Sequence, residues 1–126
     1  MTSEKTICNR QVSLLDIYPT LNSLCGLSEQ PELEGSNLTP LLKNPKMQWE
    51  KPAITTCLRN NHAVRSQRYR YIHYADGTEE LYDHKTDMNE WNNLAHDKKY
   101  SSVIQEHKRW LPGKNAPQVD DMKKPF

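Results

Sequence analysis

The densest set of side chains able to do chemistry lies between Asp83 and Glu90, where Asp83, His84, Asp87, Asn89 and Glu90 offer carboxylates, an amide and an imidazole within eight residues. Carboxylate and amide oxygens are the ligand types that calcium takes. The loop spacing fails, because Lys85 takes the third position, Met88 stands where a sharp-turn glycine belongs, and Leu94 replaces the closing glutamate. Zinc spacing fails as well, since no Cys or second His lies within five residues of His84. Asp and Asn at such density cap their own backbone, so the segment is expected to form turns and to lead into the last helix. No metal ligands are assigned.

Nucleophilic catalysis needs Ser or Cys beside a His base, and no G-x-S-x-G or S-x-x-K frame occurs. The remaining candidate is "RNNH", with Arg59, Asn60, Asn61 and His62 together in "CLRNNHAVRS". At a strand-to-strand connection these four side chains can face a cleft; an exposed polar turn is the plainer reading. Arg65, Arg68 and Arg70, interleaved with Tyr69 and Tyr71, would also suit an oxyanion or a stacked single strand. Glu79, Glu80 and Asp83 on the next strand give a simpler role, cross-strand charge pairing at roughly 0.2–1 kcal/mol per pair.

Elements must position these groups. "VSLLDIYPTLNSLCGLS" places Leu14, Ile17, Tyr18, Leu21, Leu24 and Cys25 on one helix face. Pro19 in a helix interior would cost about 3 kcal/mol, so the helix is expected to start near Ile17 with Asp16 as N-cap and to stop at Gly26. Residues 27–52 carry Pro31, Pro40, Pro45 and Pro52 and read as an ordered connector with one helical turn around Leu38, Leu41 and Leu42. From Ala53 the period changes to two. "AITTCL", "HAVRS", "RYRYIHYA" and "EELYD" predict four strands of an up-and-down antiparallel meander, with Asp76-Gly77 as a type I′ turn and Ser66-Gln67-Arg68 as a second reversal. "KKYSSVIQEHKRWL" predicts a helix from about Asp97 to Leu111 that covers the sheet, stopped by Pro112-Gly113. The fold class is α+β, with residues 53–112 as sheet and helix, 1–52 as helix and connector, and 113–126 as a loose tail.

Composition narrows the partners. With 17 Lys and Arg against 16 Asp and Glu, the net charge of +1 gives no argument for nucleic acid or an anionic membrane. Apolar residues are only 35% of the 126, a thin supply for a self-sufficient core, so a fragment of something larger is conceivable. Three cysteines in no C-x-x-C pair argue against a disulfide scaffold. No apolar run approaches the roughly 18 residues that span a bilayer, and "MTSEKTICNR" lacks the core of a signal peptide.

The order of the segments resembles the C-terminal part of the sulfatase family, in particular its iduronate-sulfatase-like and related arylsulfatase members. "VSLLDIYPTLNSLCGL" is similar to the family's S-x-x-D-x-x-P-T-L helix, and "LEGSNLTPLLKNP" to its E-G-x-S-L-x-P-L-L-x-x-P connector, altered at Asn37. "HAVRSQRYRYIHYADGTEELYDHKTDMNEWNNLA" resembles the R-Y-I-x-Y hairpin followed by E-L-Y-D-x-x-x-D-P-x-E-x-x-N-L, with Met88 where Pro is usual. The likeness spans about Val12 to Pro112. It implies a C-terminal portion of an alkaline-phosphatase-like sulfuric ester hydrolase, with the last helix of the large domain and the connector in residues 1–52 and the C-terminal subdomain in 53–112, whose formylglycine and calcium belong to an N-terminal domain. No C/S-x-P/A-x-R motif stands in this chain, so it implies a portion that is inactive alone, packs on that domain, and meets a sulfated substrate only in the full enzyme. Family members are often periplasmic, secreted or lysosomal. The resemblance also implies that loops of the subdomain border the substrate cleft, which makes Arg59, Asn60, Asn61 and His62 the candidate substrate-binding residues, a cationic and amide-bearing turn suited to an anionic, hydroxyl-rich ligand; Arg65 is assigned to structure, bridging to the acids of the E-L-Y-D strand. Two alternatives stand beside it: a stand-alone module binding anionic glycans, and a purely structural subdomain.

Overall fold

A computed structural model describes residues 4–117; the tail expected over 113–126 lies mostly outside the described residues. The chain divides into two compact units. One runs up to Ala53 and takes in Arg65–Gln67, and the other comprises Ile54–Val64 and the residues from Arg68 on.

In the first unit a 3-10 turn, Leu14–Asp16, leads directly into α1, Ile17–Leu24. Asp16 stands at the N-cap position of α1, as expected, but its side chain makes no capping bond to that helix. The side-chain capping lies one turn earlier, where Ser13 caps the 3-10 turn: its hydroxyl accepts from the Leu15 amide, while Asp16 Oδ2 accepts from the Ser13 amide at 2.7 Å. The other oxygen of Asp16 accepts from the Ser36 amide at 2.6 Å, and Thr20 accepts from the Leu38 amide at 2.9 Å. Asp16 and Thr20 are thus spent on the connector, which explains why both are buried. Gly35 makes the approach possible, since a Cβ there would sit 2.0 Å from the Leu15 carbonyl oxygen. Gly26, at φ +70°, supplies the left-handed residue that ends α1.

The apolar stripe that marks α1 in the sequence is its outer side. Leu14, Ile17, Tyr18, Leu21, Leu24 and Leu27 are each more than half exposed, whereas the buried residues of the helix are Thr20 and Asn22. An amphipathic helix normally buries its apolar face. The connector keeps one further helical turn, α2, Thr39–Lys43, with Pro40 in its first turn and Leu41 buried.

The second unit carries the sheet. Strands β1 (Ala53–Thr56), β2 (His62–Arg65), β3 (Tyr69–His73) and β4 (Glu79–Asp83) follow in the order β1-β2-β3-β4, the meander that period-two patterning predicts. β3 and β4 pair antiparallel with Tyr71 opposite Leu81. Alternation puts those two on one face, where with Val64 they meet Ile104 of α3, Ser101–Lys108. Asp97 caps a 3-10 turn, Lys98–Tyr100, that opens this helix, and after Lys108 the chain continues in tight turns to Leu111. His107 is also buried here; its Nδ1 donates to the Val103 carbonyl, and its ring meets Tyr69 and Tyr71.

Candidate functional site

The β1–β2 connection is a three-residue loop, Leu58-Arg59-Asn60, closed by the Cys57 amide donating to the Asn61 carbonyl at 3.0 Å. Leu58 and Asn60 both have positive φ, +60° and +64°. For a non-glycine residue this backbone costs roughly 1–2 kcal/mol, less for Asn, so the loop holds its shape only because other bonds impose it. Asn61 supplies them. Its Nδ2 donates to the Arg59 carbonyl at 3.1 Å, and its Oδ1 accepts from the Ala75 amide, also at 3.1 Å.

The four candidate residues therefore sit together but do different things. Arg59 and Asn60 are exposed, and among the described residues no side chain pairs with the Arg59 guanidinium. Asn61 is half-buried as the bridge just described. His62 does not lie on the surface of the turn: it is 4% exposed, with Nδ1 2.9 Å from the Thr56 hydroxyl and Nε2 buried without a partner. Strand parity is the reason, because His62 and Val64 share a face and Val64 belongs to the core.

Ala75 belongs to the second loop at this end of the sheet. The expected type I′ turn is corrected, since only Gly77, at φ +86°, has positive φ there. The loop is Ala75-Asp76-Gly77, with the Gly77 amide donating to the Tyr74 carbonyl and the Tyr74 amide to the Thr78 carbonyl, each at 3.0 Å. This is the pattern of a type I turn followed by a glycine bulge, the usual three-residue hairpin. Asp76 Oδ1 accepts from both the hydroxyl and the amide of Thr78, which lowers the Asp76 pKa. Beside this loop lies a cavity of about 440 Å³ bordered by Tyr74, Thr78, Glu79, Glu80 and Asn93. Its carboxylates would repel an oxyanion, so a free cation for one is Arg59's and not the cavity's.

Glu79 is a focal acceptor, taking the Tyr71 hydroxyl at 2.8 Å and Lys108 Nζ at 2.6 Å. Burial pushes its pKa up, but the bonds from Lys108 and Tyr71 outweigh burial and leave it lowered. The Tyr71 phenol, buried and bonded to that carboxylate, is raised. The same two causes push Tyr82, which donates to Glu80, up to about 12.

The acids from Asp83 to Glu90 are pairing groups. Asp83 receives both prongs of Arg68, at 2.8 and 2.6 Å, and the Lys85 amide at 3.0 Å, so hydrogen bonding from Arg68 lowers its pKa. Glu90, at φ +60°, is clamped between Arg70 and His84. Asp87 accepts from the Asn92 amide, and this stretch is irregular up to the turn at Lys98, not the beginning of a helix. Arg68 bridges to the E-L-Y-D strand, and Arg65 Nη1 donates to the Ser66 carbonyl. Cross-strand register explains part of this, because Arg70 stands opposite Tyr82 and not opposite an acid. Among the described residues no three His, Cys, Asp or Glu side chains are grouped to share a metal ion, and Cys8, Cys25 and Cys57 are free and exposed. These residues do not fit a calcium site.

A capped helix, a glycine-dependent connector and a four-stranded meander under one helix have a counterpart in a known family. Residues 1–116 match the family model described as N-sulphoglucosamine sulphohydrolase, C-terminal. The chain belongs to this family of sulfatase C-terminal domains. A sulfatase of Formosa agariphila is 45% identical over 105 residues, 83% of this chain and 21% of that protein. A Delta 4,5-hexuronate-2-O-sulfatase of Bacteroides thetaiotaomicron is 36% identical over 116 residues, 85% of this chain and 24% of that one. Among solved structures, a protein in complex with its substrate D-glucosamine-2-N,6-O-disulfate superposes with a TM-score of 0.62 at 27% identity, over 76% of this chain and 22% of the other. The chain thus spans a fifth to a quarter of the length of the curated relatives it matches. Within this sulfatase domain, sequence patterning missed the Gly35 contact, the Glu90 clamp and the Asn61 bridge. Gly35 and Glu90 fall inside the family-like motifs, which is the signal that could have found them, whereas Asn61 lies in none of those motifs.

Proposed function

We propose that this chain is the C-terminal subdomain of a sulfatase that hydrolyses sulfate esters of sulfated glycans, and that it is inactive by itself. The observation that carries this is the outward apolar face of α1 in a chain that spans only about a quarter of its relatives. Six half-exposed apolar side chains would gain roughly 1 kcal/mol each on being covered, enough to hold the subdomain on a catalytic domain of the same protein. That domain would supply the formylglycine and calcium. The 36% identical hexuronate-2-O-sulfatase supports a uronate 2-O-sulfate as substrate, in keeping with an iduronate-sulfatase-like enzyme. The turn Arg59–His62 borders that substrate: Arg59 meets an anionic group, Asn60 stands beside it at the surface, and Asn61 and His62 hold the turn from within.

The test compares 4-nitrophenyl sulfate hydrolysis by residues 1–126 alone and by the same residues joined to the preceding domain of the enzyme. Turnover is expected only in the joined protein. Turnover by the chain alone would contradict the proposal. Salt-sensitive heparin binding by a cooperatively folded 126-residue chain would instead favour a stand-alone glycan-binding module.

A further inference from the structure

We infer that Asn61 is a positioning residue that locks the two hairpin loops into one rim and so fixes where Arg59 is held for an anionic substrate group. It rests on the proposal that Arg59 meets substrate. Three bonds converge on Asn61: the Cys57 amide to its carbonyl, its Nδ2 to the Arg59 carbonyl, and the Ala75 amide to its Oδ1. Arg59 lies between two residues of positive φ, Leu58 and Asn60, a backbone that a loop free of such bonds would leave. The guanidinium has no partner among the described residues, so its placement is set by the backbone beneath it.

The chemistry demanded of residue 61 is specific. One side chain must donate to a carbonyl and accept from an amide in opposite directions, which a carboxamide of this length does. Asp keeps the acceptor for Ala75 and loses the donor to Arg59. Ala loses both. Holding Arg59 before the substrate arrives spares the cost of ordering the loop during binding. Asn61 therefore acts on substrate affinity through Arg59, without touching the substrate.

The experiment measures kcat and KM of the complete enzyme on a 2-O-sulfated unsaturated hexuronate disaccharide, for wild type, Arg59→Ala, Asn61→Ala, Asn61→Asp and the Arg59→Ala/Asn61→Ala double variant. Arg59→Ala is expected to raise KM about tenfold with kcat within about twofold, as loss of uniform binding does. Asn61→Ala should raise KM by about threefold to tenfold alone and by under about twofold in the Arg59→Ala background. Asn61→Asp should fall between, keeping the slow hydrogen exchange of the Ala75 amide that Asn61→Ala loses. An unchanged KM in Arg59→Ala sinks the proposal that the loop meets substrate. A KM rise in Arg59→Ala, joined by an equal effect of Asn61→Ala in both backgrounds, overturns the positioning role and leaves the substrate contact standing. Should Asn61→Ala fail to fold, Asn61→Asp decides alone, by the same comparison with and without Arg59.

Discussion

Gly35→Ala is predicted to be the most damaging of four glycine substitutions, and the reason can be worked from distances. A Cβ at residue 35 would lie 2.0 Å from the Leu15 oxygen, 2.5 Å from its carbon and 3.0 Å from the Asp16 nitrogen, all backbone atoms. Ordinary contact needs well over 3 Å, so the connector must retreat by more than 1 Å. That retreat breaks the 2.6 Å bond from the Ser36 amide to the buried Asp16 carboxylate. Overpacking costs about 1–3 kcal/mol and a lost bond to a charged acceptor about 1.5–3, so about 3–5 kcal/mol is expected. Gly26 and Gly77 test positive φ alone, since an added Cβ meets nothing at either; Ala there should cost about 1–2 kcal/mol. Gly113→Ala meets nothing either and should be near neutral. Thermal unfolding monitored by circular dichroism on the longer enzyme, or on this chain where it unfolds cooperatively, gives the ranking. At about 4 °C per kcal/mol, Gly35→Ala should lower Tm by about 12–20 °C. A Tm for Gly35→Ala within about 4 °C of the Gly26→Ala value would refute the close approach of connector and helix.

Two further outcomes follow from the polar pairs. Because Arg68 holds the Asp83 pKa down, the stability Asp83 contributes is complete above its unfolded value of about 4 and drains away as pH falls through the lower folded value. Denaturant titrations should show the gap between wild type and Asp83→Asn closing below about pH 4, and a gap constant from pH 7 to 2 would exclude the mechanism. Glu79→Ala leaves the buried Tyr71 hydroxyl without its acceptor and should cost about 1–3 kcal/mol, while adding Tyr71→Phe should restore part of it; equal losses in single and double variants would count against the network.

Where period and turn chemistry decide conformation, the sequence alone was enough. The α+β class, four strands in meander order, the α1 stop at Gly26 and the covering helix near Asp97–Leu111 follow from apolar spacing and from residues with special backbone freedom, both local causes. The resemblance in "PTLNSLCGL", "EGSNLTPLL" and "ELYDHKTDMNEWNNLA" likewise identified the family. Tertiary structure decided what local rules do not encode: which face of each element meets which neighbour. It turned the apolar side of α1 outward, drew Asp16 into the connector, and gave the Asp83 bridge to Arg68. It also divided "RNNH" into an exposed cation, a bridge and a buried imidazole. A side chain's type states what it can bond, but partners separated by 14 to 20 residues, as in Asn61 with Ala75 or Asp16 with Ser36, are chosen only when the backbone closes around them.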